Sequence, residues 1–273
     1  MSDTVSDTVS DTRSLTLVTV GILIIGDEIL SGKRQDKHFA KAIEILGKRG
    51  LELDWAEYVG DVPARITATL ERTFATDDVV FSFGGIGATP DDHTRQCAAA
   101  ALGRPLARHP DAVKEIVARF GDGAYPKRVL MAEFPEGAAV VPNPVNRIAG
   151  FSVGTHYFLP GFPEMAWAMM EWALDTKHRA LFRDRLPHEE AIIVSGAGES
   201  DLLEIMNAVV RDYPELKLSS LPTFSGGGAR LIELAVRGDP ARVPVAMAFV
   251  RDAIAKLGYA FTDRPAKPAR VSS

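Results

Sequence analysis

The chain holds one cysteine, Cys97, so neither an intrachain disulfide nor a cysteine-based zinc site can form. It holds no apolar run approaching the roughly 18 residues that span a bilayer. Its first residues lack a basic segment followed by an apolar stretch and a small-residue cleavage site, so no secretory signal is read there. Excess positive charge is missing too. Lys and Arg total 31 against 36 Asp and Glu, a formal net charge of -5, which argues against electrostatic nucleic-acid binding as the main task. These absences lead to an expected cytoplasmic location with neither membrane nor nucleic acid as partner. Cys97 itself sits among alanines and reads as a small buried thiol.

What is present suits a globular protein. A 273-residue chain that is 46% hydrophobic can bury a substantial core and build one or two domains. The most informative stretch runs from Val79 to Leu102, VVFSFGGIGATPDDHTRQCAAAAL. Its start is β-branched and aromatic, as a buried strand should be. Gly84, Gly85 and Gly87 follow in a turn able to take positive φ and expose backbone N–H groups. Thr89 is then expected as a helix N-cap, Pro90 as the first helical residue, and Asp91 and Asp92 in the first turn. A strand, a glycine turn and a helix N-terminus make an anion cradle. Carboxylates repel a bound anion unless a divalent cation bridges the two. The spacing of Thr89 and Asp92 equally suits a simple capping box, and both readings stand at this level.

The rest of the chain repeats that logic. Residues 1–14 repeat Ser-Asp-Thr and are expected to be disordered. Leu15 to Ile25 reads as a central strand running into Gly26-Asp27-Glu28, which sets two carboxylates at the strand end where α/β sheets bind ligands. Asp36 precedes an amphipathic helix as an N-cap, a ligand group or both. Leu51 to Val59 is the next strand, and Asp61 stands at its junction with a helix opening near Pro63. Aspartate thus marks three strand-to-helix junctions, which right-handed crossovers bring to one sheet edge. Further on, a helix is expected from Pro110 to Phe120, a short one from Lys127 to Phe134, and a strand from Ala138 to Val141. A hairpin about Gly154 follows, then the turn Pro160-Gly161 and a helix to about Lys177. After a connector at Arg183 to His188 comes a β-α-β-β-α unit with Gly226-Gly227-Gly228 in a hairpin loop. The boundaries expected are a tail 1–14, an α/β domain 15–184, a small α+β domain 185–262 and a tail 263–273.

Five stretches, GDEILSGKRQD, GDVPARI, GGIGATPDDHT, VPNPVNRIAG and LPGFPEM, occur in an order and spacing that resembles the molybdopterin-binding domain superfamily. The nearest branch in pattern is the competence-damage-inducible protein A family and the N-terminal domain of eukaryotic FAD synthase. The loop GAGES is similar to that family's Gly-Ile-Gly-Glu-Ser. The resemblance covers roughly Leu17 to Phe261. It implies a three-layer α/β/α sandwich with a mostly parallel sheet, followed by a small KH-like α+β domain. It also implies metal-dependent hydrolysis of a nucleotide pyrophosphate such as ADP-ribose or FAD, or alternatively molybdopterin binding in molybdenum cofactor synthesis. Magnesium, manganese or cobalt, and potassium, are the implied cofactors.

Carried over residue by residue, the resemblance makes Asp92 and Asp61 catalytic, and Asp92, Asp91 and Asp61 metal ligands. It places Gly84, Gly85, Gly87, Thr89, Gly26, Asp27, Glu28, Ser31, Asp36, Asn143, Pro160 and Gly161 around a small phosphorylated ligand. Lys33, Arg34, Lys127, Arg128 and Arg147 are cations available to clamp phosphate oxygens, although solvation is the ordinary fate of any one. His93 is more readily structural than a ligand. Relatives form dimers or trimers, so self-association is expected. Two departures stand out, Ala88 in place of the usual proline and His38 in place of a frequent asparagine, and the deamidase activity of that family's C-terminal domain is not expected of these 273 residues. The second domain lacks a Gly-x-x-Gly loop between helices, so no RNA role is expected of it.

Overall fold

The computed structural model describes residues 18–183, 187–224 and 230–264. The Ser-Asp-Thr repeat, the Gly226 to Gly228 run and the C-terminal tail from residue 265 lie outside the described residues. The described chain divides into two compact units. One holds residues 18–46 and 52–181, the other residues 47–51 and 182–264.

The first unit opens with β1 (Val20–Ile25), whose six residues are all buried. Burial on both faces is what an uninterrupted β-branched and aliphatic run predicts for a central parallel strand. One helical turn α1 (Asp27–Leu30), helix α2 (His38–Gly47), strand β2 (Trp55–Val59) and helix α3 (Pro63–Phe74) follow. Then come β3 (Val79–Phe83) and α4 (Thr94–Ala101). A short pair, β4 (Leu106–Arg108) and β5 (Glu133–Pro135), flanks α5 (Pro110–Phe120). Strand β4 carries no local signal, and the helix expected from Lys127 to Phe134 is instead a 3-10 turn at Arg128–Ala132 ending in β5. Strands β6 (Ala139–Val141), β7 (Gly150–Val153) and β8 (His156–Leu159) and helix α6 (Pro163–Lys177) complete the unit.

The six-stranded sheet has the order β2-β1-β3-β8-β7-β6. Strands β2, β1, β3 and β8 are parallel, and β7 pairs antiparallel with both β8 and β6. The chain leaves β1 toward β2 and returns to β3 on the other side of β1. The β1/β3 boundary is therefore the topological switch point, where α/β sheets open a crevice at their carboxyl edge. The core on one side of this sheet joins Leu23, Val80, Phe151 and Phe158 to Ile66, Leu70 and Ala98 from the helices.

The second unit is an α+β fold: β9 (His188–Ser195), α7 (Glu199–Asp212), β10 (Lys217–Phe224), β11 (Arg230–Gly238), α8 (Val243–Lys256) and β12 (Ala260–Asp263). Its antiparallel sheet has the order β10-β11-β9-β12. Ile192, Val194, Ile232, Leu234 and Val236 pack on Leu202, Val209, Met247 and Val250 from the helices. The last strand, β12, is not among the elements expected from local pattern. Its four residues are short and half polar, and only pairing with β9 makes them a strand.

Candidate functional site

The five stretches of the first unit leave the carboxyl ends of strands that run the same way: Gly26 after β1, Asp61 after β2, Gly84 after β3, Asn143 after β6 and Pro160-Gly161 after β8. Gly84 lies at the switch point itself. A Cβ built on it would stand 2.2 Å from the Ile25 carbonyl oxygen, and its φ of 104° is closed to other residues. Gly85, at φ 68°, packs so tightly on Thr94 that a Cβ would lie 2.2 Å from its Oγ1. The two glycines let the chain turn between β1 and α4 with no side chain in the crevice.

The turn leaves its donors free. Among the described residues, the N–H groups of Gly85, Ile86, Gly87 and Ala88 have no protein acceptor. Gly85 and Gly87 are half-buried and Ala88 is exposed. Successive unpaired amides of this kind form an anion-binding concavity.

The helix starts four residues later than the expected Pro90. Helix α4 begins at Thr94, and residues 89–92 form a separate closed turn. Thr94 fixes that start by donating its Oγ1–H to the Gly84 carbonyl and its N–H to the Gly85 carbonyl, both at 3.0 Å. His93 occupies the cap position without a side-chain cap bond. Thr89 and Asp92 form one half of the expected capping box, the carboxylate on the Thr89 N–H, while the Thr89 hydroxyl donates to Asp92 instead of accepting from its N–H. Asp92 Oδ2 accepts from the Thr89 N–H at 2.9 Å and from its hydroxyl at 2.5 Å. Pro90 and Asp91 lie in the turn, outside the helix.

Four carboxylates gather beside it. Asp27 and Asp61 clasp each other's backbone: the Asp27 N–H donates to Asp61 Oδ2 at 2.8 Å, and the Asp61 N–H to Asp27 Oδ1 at 3.1 Å. Asp61 therefore does not cap α3, whose cap position is held by Val62. Burial, followed by the charges of Asp27, Glu28 and Asp91, pushes the Asp61 carboxyl above its ordinary value. Asp91 is exposed, and the neighbouring Thr89, followed by Asp91's own N–H, holds its carboxyl below the usual range. Among the described residues, no three His, Cys, Asp or Glu side chains converge as a complete metal cage. A magnesium-type ion ordinarily takes one or two carboxylates and completes its shell with phosphate oxygens and water, and this donor set fits that chemistry.

Next to the turn lies a cavity of about 310 Å³ lined by Ile24, Ile25, Phe83, His38, Arg34 and Gly161, with Glu28 and Lys37 also on its wall. Apolar walls with a few polar groups are the usual make-up of a small-molecule site. His38 is 5% exposed and stacks on Phe83 with ring centroids 4.5 Å apart. Its Nε2 lies 3.3 Å from the Gly161 carbonyl. A carbonyl only accepts, so Nε2 carries the proton and Nδ1 is bare. Nδ1 is buried and has no partner among the described residues. Burial lowers the pKa of this imidazole and favours the neutral ring.

The remaining expected residues divide. Glu28 and Gly161 line the cavity, and Gly161 packs on Gly84, whose Cα would be 3.5 Å from an added Cβ. Asp36 caps α2, accepting from the His38 and Phe39 N–H groups at 2.7 and 3.1 Å, and takes the Tyr58 hydroxyl at 2.8 Å. Asn143 is spent on its own loop: Oδ1 accepts from Val145 and Asn146, and Nδ2 donates to Ile148. Ser31 is exposed at the end of α1. Of the five cations considered, Arg34 reaches the cavity wall, Arg147 pairs with Glu115 at 2.7 Å, and Arg128 donates to the Gly123 carbonyl at 2.6 Å. Two residues join the site that were not expected in it, His38 and Arg95. Only the departure from asparagine marked the first, and nothing local marks the second.

The chain matches the family model described as "Probable molybdopterin binding domain" over residues 21–181. It is 30% identical to a protein of Pyrobaculum calidifontis over 79% of this chain and 85% of that one. It is 36% identical to a CinA-like protein of Anaeromyxobacter sp. (strain K) over 57% of this chain and 40% of the relative. The chain thus spans well under two thirds of that CinA-like protein's length. Among solved structures it is similar to "the protein CinA with unknown function from Thermoplasma acidophilum", with 26% identity and a TM-score of 0.53, over 60% of this chain and 99% of the other.

Proposed function

Because this chain belongs to the molybdopterin-binding domain family, we propose that its first unit binds a phosphorylated small molecule at the β1/β3 crevice and hydrolyses a nucleotide pyrophosphate of the ADP-ribose or FAD type. The observation that carries this reading is the row of four unpaired backbone N–H groups at Gly85–Ala88, with the carboxylates of Asp27, Glu28, Asp61 and Asp91 and an apolar-walled cavity near it. The amides of the turn hold one phosphate. The cavity takes the flat ring or ribose attached to it. Asp92 keeps the turn closed through Thr89.

Asp61 and Asp91, with Asp92 behind them, are the residues that would hold a divalent cation. When bound, such an ion supplies charge neutralisation on the phosphate and lowers the pKa of a coordinated water. Asp61, held above the ordinary carboxylate range by burial and like charges, is the group suited to take the proton of the attacking water. The water oxygen bonds to phosphorus as the bridging P–O bond breaks, and two phosphomonoesters leave. Arg34 on the cavity wall balances the second phosphate.

The test is incubation with ADP-ribose or FAD and magnesium, manganese or cobalt, with and without potassium, following AMP by chromatography. Product that disappears in Asp92→Ala supports hydrolysis. No turnover alongside tight pterin binding supports the second reading, molybdopterin binding, which the family description favours. We also propose self-association as a dimer or trimer, to be read by light scattering on the eluting protein.

A further inference from the structure

We propose that Arg95 is the buried cation that makes the glycine turn attract anions, acting through charge and position without touching the ligand. The inference rests on the reading of the turn as a phosphate cradle. Arg95 lies on the first turn of α4 and is 3% exposed. Its Nη2 donates to the Gly87 carbonyl at 2.6 Å. Its Nη1 donates to the carbonyls of Leu130 and Glu133, the latter at 3.2 Å, and its Nε is buried without a partner. Every acceptor it meets is therefore a backbone carbonyl. The carboxylates of Glu133 and Asp92 act on it only at a distance, and neither is within ion-pair reach among the described residues.

Two consequences follow from this arrangement. Peptide groups are planar and trans, so drawing the Gly87 carbonyl inward turns the following Ala88 N–H outward, where it has no protein acceptor. Arg95 thereby aims one of the four donors of the turn. Arginine also stays protonated at any ordinary pH, so a full positive charge sits under the turn. Carbonyl dipoles solvate that charge, but no adjacent carboxylate cancels it. Salt screens a buried charge far less than an exposed one. A phosphate on the amides above would meet that field together with the N–H groups, and the field offsets the repulsion of Asp92 and Asp91. The cradle's affinity for anions then depends on a residue that the cavity walls do not include.

The experiment is an NMR titration of the full chain with inorganic phosphate, reading the amide resonances of Gly85 to Ala88. Wild type is expected to shift at these amides. Arg95→Lys, which keeps the charge, is expected within about three-fold of the wild-type dissociation constant. Arg95→Gln, which keeps a donor for the Gly87 carbonyl but not the charge, is expected to weaken binding at least ten-fold. Glu133→Gln, which removes an opposing charge and leaves Arg95 intact, is expected to tighten it about two-fold or more, and this holds the test open if Arg95→Gln fails to fold. Wild-type affinity in Arg95→Gln, or no change in Glu133→Gln, would overturn the proposal while leaving the cradle standing. An unresponsive wild-type turn would overturn both. Hydrolysis of ADP-ribose is assayed separately, so loss of that activity reading alone does not touch the phosphate result.

Discussion

At the scale of single residues, the site depends on atoms that are missing as much as on those present. Gly84 has no Cβ because the Ile25 carbonyl already fills that place. Gly84→Ala is expected to cost about 3 kcal/mol of stability, from a backbone clash in a conformation alanine avoids. Urea unfolding at pH 7 measures it, and a loss under 1 kcal/mol would mean that β1 and β3 yield easily. Asp61 is the opposite case, a group whose folded pKa is raised. A carboxyl that binds its proton more tightly when folded disfavours the fold at neutral pH, and that penalty fades as pH falls through the folded value. Asp61→Asn keeps an oxygen for the Asp27 N–H and removes the charge. It is expected to melt at the same temperature or higher at pH 7, yet to lose at least ten-fold in ADP-ribose hydrolysis. Thermal melts beside the AMP assay separate the two effects, and a lower melting temperature would show that the charge supports the clasp.

Among the elements, β8 carries the clearest pH liability, at the sheet edge opposite the site. Its first residue, His156, is 2% exposed, packs against Phe74 at 4.4 Å and leaves Nε2 unpartnered. Burial lowers its pKa to about 4, against an opposing pull from the Asp78 charge. Asp78 is itself bonded to Thr19 and Trp55, so it does not move to form a close pair. The unfolded chain takes up the proton near 6.5 while the fold refuses it. Stability is therefore expected to fall between about pH 6.5 and about pH 4, by about 3 kcal/mol, and to level off below as far as this residue is concerned. Denaturant melts across that range check it, and His156→Leu should flatten that part of the slope. Elements also show where local signals mislead. Thr89-Pro90-Asp91-Asp92 has every mark of a helix start, but Thr94 bonds the carbonyls of Gly84 and Gly85 and delays the helix by a full turn. Tertiary contact overrode a local propensity of about 1 kcal/mol.

For the whole molecule, the division into two units matters most. Residues 47–51, from the last residue of α2 onward, belong with the second unit, and the Arg183 N–H donates to the Arg49 carbonyl at 3.1 Å. The Thermoplasma CinA structure corresponds almost entirely to 60% of this chain, so a unit of this size stands as a chain by itself. Ending the chain at Leu181 is expected to leave the six-stranded sheet folded and phosphate binding intact, with a melting temperature lowered by several degrees through the loss of partners at 47–51. Circular dichroism and the phosphate titration check this together. An unfolded product would mean that the second unit is required for the first. Among the described residues no helix is long and apolar enough to cross a membrane.

The parallel core and the edge that carries the site were legible in the chain because each depends on local pattern. Six buried aliphatic and glycine residues in a row make β1 a central strand wherever it lies. Strand ends that carry Gly-Asp or Gly-Gly fall on one edge by the handedness of crossovers. Pairing was not legible for β4 or β12, whose few residues become strands only beside β5 and β9. Nor was the use of each polar group. Asn143 spends its amide on its own loop, Asp61 clasps Asp27, and Arg95 reaches three carbonyls up to 38 positions away. Periodicity records which side of an element faces the core. A hydrogen bond depends on distances of a few ångströms between segments remote in sequence, and only the packed chain sets those.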